Sequence, residues 1–144
     1  MTYSNFQFGW ATFLVFVLVG VVVVLSSGFN RNIGISVFLL LLGAFLFFGF
    51  MTTEVNKDTV KWRMGIGLVS GEIPINEICG VEQSRSKWYT GWGVRRGTNI
   101  VLYNVSGFER VSFRKCDGST IALGTDDPKG LIEAVRNASC KESR

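Results

Sequence analysis

The chain has 144 residues, with 15 Lys and Arg against 11 Asp and Glu, a net charge of +4, three cysteines and no histidine. Without histidine, Cys/His zinc sites and histidine-assisted nucleophiles are excluded. With no long Lys/Arg run, no nucleic-acid partner is expected. The length suits one domain, yet charge divides the chain: residues 1–51 carry Arg31 alone, and residues 52–144 carry every other charge.

Two apolar runs open the chain, with spans at about residues 8–25 and 33–51, separated by Gly28-Phe29-Asn30-Arg31-Asn32. Each approaches the length a helix needs to cross roughly 30 Å of hydrocarbon. In lipid a helix satisfies its own backbone groups, whereas irregular chain leaves them unpaired. Residues 1–51 therefore read as a transmembrane helical hairpin. Met1–Gln7 lacks the basic residues of a signal peptide, and no A-x-A site follows. Gly9 and Gly20 share one helical face, as do Ser36 and Gly43, and small residues let membrane helices approach closely. Neither span holds an ionisable residue for a transport path. Lys57, Lys61 and Arg63 outnumber Arg31, so the positive-inside rule puts both termini in the cytoplasm. The expected location is the cytoplasmic (inner) membrane, as an integral protein.

From residue 52 onward, short β-like runs alternate with turns. Thr52–Val55 and Thr59–Met64 flank the tight turn Asn56-Lys57-Asp58, and Thr59–Met64 alternates apolar with polar residues as a half-buried strand does. Leu68–Ile73 ends at Pro74. Cys79–Gln83, Asn99–Val105, Glu109–Phe113 and Thr120–Leu123 follow, the last two joined by a turn containing Asp117-Gly118. Asp127 then caps a helix with Pro128 at its first position and Leu131, Ile132 and Val135 on one face. The three cysteines form no C-x-x-C pair. An odd, scattered set fits a reducing compartment and leaves one disulfide open. Cys79, between Ile78 and Gly80, reads as a small buried hydrophobe.

Several stretches carry a resemblance: Gly65-Ile66-Gly67-Leu68, Ile73–Ile78, Gly91–Arg96, Leu102–Gly107 and Gly124–Pro128. In this order, after two apolar runs, most of residues 52–138 resembles bacterial pleckstrin-homology-like (PH-like) domains, so residues 52–144 read as a cytoplasmic PH-like domain. The resemblance implies an α+β membrane protein: a small bent β-sheet or barrel of about seven strands, capped by the C-terminal helix. It implies binding or assembly, not catalysis.

The most unusual segment runs from Ser84 to Arg96. Arg85, Lys87, Arg95 and Arg96 enclose Trp88, Tyr89 and Trp92 among glycines. Trp and Tyr favour the headgroup level, and nearby cations gain roughly 1 kcal/mol each from an anionic surface. The loop either lies on lipid or folds Trp88 and Trp92 back over the sheet; stacking on RNA is the weaker option. Lys57, Lys61 and Arg63 fit only loosely the basic first-hairpin pattern of lipid-binding PH domains. Their turn is too tight for a wide phosphate pocket, so they read as secondary, membrane-proximal contacts. Asp126 and Asp127 read as helix caps. No catalytic, metal or cofactor site is expected. The expected function is a non-enzymatic module contacting lipid headgroups or a protein partner. The alternative is a scaffold subunit that homo-oligomerises through the hairpin and the β domain.

Overall fold

The computed structural model describes residues 3–26, 28, 30–85, 93–105 and 107–142, with the side chains of 141 and 142 left aside. The described residues are α+β, with three α-helices and two sheets. Strand β1 (Tyr3–Phe8) leads into helix α1 (Trp10–Ser26). Helix α2 (Arg31–Phe48) returns and continues into β2 (Phe50–Val55), followed by β3 (Thr59–Met64) and β4 (Val69–Pro74). These strands form a four-stranded antiparallel sheet in the order β1-β2-β3-β4. A single 3-10 turn, Ile75–Glu77, then opens the second half: β5 (Ile78–Arg85), β6 (Gly93–Arg96), β7 (Ile100–Asn104), β8 (Glu109–Lys115), β9 (Thr120–Gly124) and helix α3 (Pro128–Glu142). The second sheet has the order β5-β8-β9-β7-β6, with β7 and β9 parallel.

All seven expected strands are present, and two more join them. Strand β1 lies in residues read as the flank of a membrane hairpin. Its inward positions are Tyr3, Asn5 and Gln7, while Phe6 is 58% exposed, so the usual apolar-in alternation is inverted. Strand β6 lies in what reads as loop, because Val94, Arg95 and Arg96 are all exposed on an edge strand.

Of the two expected spans, α2 is the one helix among the described residues long and apolar enough to cross a membrane, with 18 residues and a mean hydropathy of 2.0. Helix α1 has 17 residues, about 25 Å of length. It is shorter than the apolar run because Phe8 ends a strand and Gly9 forms the junction. Phe13 and Phe16 both meet the ring of Phe45, and Gly20 approaches Leu41, so the helices run antiparallel side by side. Neither helix buries any residue.

The core lies between the sheets and α3. Val55, Val60, Trp62 and Ile73 from the first sheet meet Val111, Phe113 and Leu123 from the second, with Leu131 and Val135 of α3. Asp127 accepts from the Gly130 amide at 3.0 Å, the expected N-cap. Its carboxylate also accepts from the Tyr3 hydroxyl at 3.1 Å, and Asn5 Nδ2 donates to Asp126 Oδ1 at 2.8 Å. The start of the chain is thereby tied to the start of its last helix. Burial, with the Asp127 charge beside it, pushes the Tyr3 phenol up to about 12.

The cysteines correct the expectation drawn from their spacing. Cys79 is exposed, not buried, and forms a disulfide with Cys116. The register slips between Ile78 and Gly80, and this bulge turns Cys79 outward. Cys116 follows the last residue of β8, which is paired with Ile78, so the two Cα atoms lie 5.1 Å apart. Cys140 is free and exposed.

Candidate membrane-facing site

The apolar helices join the sheet through one residue on each side. Phe8 pairs with Phe50, and the next rung is the Gly9 amide donating to the Gly49 carbonyl at 2.7 Å. The β-ladder thus runs into the base of the helical hairpin. A Cβ on Gly9 would stand 2.6 Å from that carbonyl and 2.8 Å from Val105 Cγ1, so only glycine fits. Two further bonds lock the base. Thr12 Oγ1 donates to the Val105 carbonyl at 3.0 Å, and the Ile66 amide donates to the Leu46 carbonyl at 3.0 Å, one of the four that end α2 unpaired. Gly65, at φ +53°, makes that approach possible, since a side chain there would strike the Leu46 and Phe47 carbonyls.

The turn that caps α2 also presents Ile66 and Leu68, which are 59% and 67% exposed. With the exposed Phe47 and Phe48 at the end of α2, which this turn meets, they form an apolar collar where the hairpin meets the sheet. Above the collar, the outer face of the first sheet carries two polar rows. Cross-strand register aligns Phe6, Thr52, Arg63 and Ser70 in the nearer row, and Ser4, Glu54, Lys61 and Glu72 in the farther one. Thr52, Glu54, Lys61, Arg63, Ser70 and Glu72 of these rows line a groove of about 340 Å³. Lys61 pairs with Glu72 at 3.1 Å. Arg63 and Glu54 have no ionic partner among the described residues. The stem of Arg63 lies along Gly67, in the turn that forms the collar.

No protein-family model, curated protein or solved structure matches this chain. The site is therefore read from its own chemistry.

The three secondary basic residues do not form one cluster. Arg63 stands in the row nearest the collar and Lys61 one row farther. Lys57 sits in the β2–β3 turn, roughly 20 Å along the strand from Phe50, at 3.3 Å per residue. Although Lys57 is close to the second apolar run in sequence, β2 carries it away from the helices. Arg85 ends β5 opposite Glu109, whereas Arg95 and Arg96 lie on β6, at the other edge of the same sheet. Gly93, at the start of β6, pairs with Asn104, next to the Val105 that touches Gly9 and Thr12. Lys87, Trp88, Tyr89 and Trp92 lie outside the described residues.

Sequence reading misses Arg110 and Arg114 on β8. Arg110 Nε donates to Ser84 Oγ at 2.8 Å, and Arg114 pairs with Glu82 at 2.8 Å. It also misses the collar, because Ile66 and Leu68 stand in a glycine turn where no period marks them. At the far end of the second sheet, Lys115 pairs with Glu77 at 2.9 Å, and that bond holds its ammonium above the usual lysine range. Hydrogen bonds from Ser119 hold Asp117 below the usual carboxylate range. No group of three metal-ligating side chains occurs among the described residues.

Between α1 and α2 runs a second cavity of about 420 Å³, lined by apolar side chains including Phe16, Val21, Phe38 and Phe45, with Gly20 and Gly34. Its lining offers a ligand no charge and no hydrogen-bonding side chain.

Proposed function

We propose that this chain is a non-enzymatic, membrane-anchored module of PH-like type, held against the bilayer by α2 with α1 beside it and contacting lipid headgroups. One observation carries the reading: two apolar helices with no buried residue join the sheet through single, hydrogen-bonded glycines. Apolar surface on that scale needs a hydrocarbon partner. The exposed aromatic and aliphatic collar suits the interfacial layer above it. Seven of the nine strands and the capping helix support the PH-like reading; β1, β6 and the parallel β7–β9 pair go beyond it. The segment from Arg85 to Arg96 remains the proposed basic aromatic contact, with Gly93 attached beside the base of the hairpin.

The orientation proposed here differs from the one expected from charge. A disulfide between exposed cysteines is a feature of oxidising compartments. It outweighs a bias of three basic residues against one. We therefore assign the β region to the oxidising face of the membrane. Cys140, the free exposed thiol, reports on this directly. A membrane-impermeant maleimide should label it in intact cells, and labelling only after lysis would reverse the assignment.

Anchoring is tested by excision. Phe8 and Phe50 are paired neighbours, so residues 9–49 can be replaced by an Asn-Gly turn without breaking the ladder. The full chain should float with phosphatidylcholine vesicles and the excised form should stay in the soluble fraction. If the full chain fails to float, the membrane reading is wrong. The apolar cavity between the helices favours a second reading, a scaffold subunit that seats a helix from another copy. A monomeric mass in detergent would count against it.

A further inference from the structure

We propose that the outer face of the first sheet is a binding site for a zwitterionic phospholipid headgroup bearing a primary ammonium, the phosphoethanolamine type. The inference rests on the membrane-anchored reading above and names the ligand of its nearest polar surface. Arg63 stands between the hydroxyls of Thr52 and Ser70 on the neighbouring strands, a donor set suited to a phosphate oxygen. One row farther from the collar, Glu54 is a carboxylate without an ionic partner among the described residues, while Lys61 beside it is already paired with Glu72. The groove thus holds one unpaired cation and one unpaired anion, and no net charge over its four ionised groups.

Arg63 and Glu54 lie on adjacent strands, diagonal across the ladder, roughly 7–8 Å apart at the backbone. That separation suits a two-carbon linker with a hydrogen bond at each end. Depth agrees for the arginine row, while Glu54 stands beyond the polar layer, on its water side. Thr52 lies about 7 Å and Glu54 about 13 Å along the strand from Phe50. The polar layer outside the hydrocarbon is about 5–8 Å thick. The phosphate would then meet Arg63 and the ammonium would lie outward, beside Glu54. Ile66 and Leu68, exposed in the turn that caps α2, stand on the helix side of Arg63, where the acyl chains leave. An anionic headgroup would set a second negative charge against Glu54. A choline headgroup has no N–H to donate, and the rows around Glu54 hold no aromatic cage.

The test uses the full-length protein in nanodiscs of mixed phosphatidylethanolamine and phosphatidylcholine, and in a second set of phosphatidylglycerol and phosphatidylcholine. Lipids retained on the protein are counted by native mass spectrometry. Wild type should retain phosphatidylethanolamine over phosphatidylcholine on the order of tenfold, the worth of one charge-assisted hydrogen bond. Glu54→Gln should abolish that preference while phospholipid is still retained. Arg63→Gln should lower retention of all three lipids, with Arg63→Lys recovering part of it. Thr52→Ala and Ser70→Ala, which remove only hydroxyls, should each lower retention several-fold and serve if the arginine variant does not fold. Equal retention of the lipids by wild type, or an unchanged preference in Glu54→Gln, overturns the site. Flotation with pure phosphatidylcholine vesicles keeps the two proposals apart. A chain that floats but does not discriminate refutes the headgroup site alone, and one that does not float refutes both.

Discussion

Replacing Cys116 by Ser gives a direct measure of what the disulfide contributes. Cys79 and Cys116 are 37 residues apart in sequence, and closing a loop of that size removes unfolded-state entropy equivalent to about 4 kcal/mol. Lost strand contacts add little, since both side chains are exposed and the Ile78–Lys115 pair beside them remains. For a folded region near 100 residues, 1 kcal/mol moves the melting midpoint by about 4–8 °C, so a fall of about 15–30 °C is expected. The assay is thermal unfolding of full-length protein in detergent, followed by tryptophan emission. Trp62 is buried against Tyr103, with ring centroids 5.3 Å apart, and reports on the core. Dithiothreitol should lower the wild-type midpoint by the same amount and leave Cys116→Ser unmoved. A thiol count under denaturing, non-reducing conditions closes the test: one free thiol as purified and three after reduction. Three reactive thiols at the outset, or a variant that melts with wild type, would refute the pairing and the assignment to an oxidising face.

Three further outcomes follow from the described contacts. Gly9→Val should break the junction, because its Cβ would crowd the Gly49 carbonyl and Val105; a loss of about 2–3 kcal/mol is expected, read as faster proteolysis at the base of the hairpin. The Tyr3 phenol is held at about 12, above its ordinary 10. A raised folded pKa contributes stability that is whole below pH 10 and is lost as pH rises from 10 to 12. Tyr3→Phe should remove that part of the alkaline decline in stability, and the phenolate absorbance at that site should appear only above pH 11. Leu131→Ala empties a fully buried position between α3 and the sheets and should cost about 2–5 kcal/mol in chemical denaturation.

The strands of the β region were legible because their inward residues alternate as the pleat demands: Val60, Trp62 and Met64 on β3, and Val111 and Phe113 on β8, are all buried. The cap of α3 was legible because Asp127 followed by Pro128 has few other uses. Strand β1 was not, since its buried side is built from Asn5 and Gln7 and its aromatic Phe6 faces out. Long-range facts were beyond local pattern. Nothing near Cys79 indicates Cys116, and nothing in β2 says that Lys57 is carried away from the helices. The groove of Arg63, Thr52 and Ser70 exists only through register across three strands, so its residues looked like isolated surface positions.

The ladder between β1 and β2 also dictates an order of assembly. Strand β1 is made first, but its partner appears only after the 41 residues from Gly9 to Gly49. Closing so long a flexible loop is slow and entropically costly. Once α1 and α2 stand side by side, the same two ends are brought together with no free loop left to close. During synthesis, therefore, the first strand waits with unpaired edges while the helices are placed, and β2 is the first segment able to relieve it. Any delay in placing the helices prolongs the life of an exposed strand edge, the form of chain most open to mispairing and degradation.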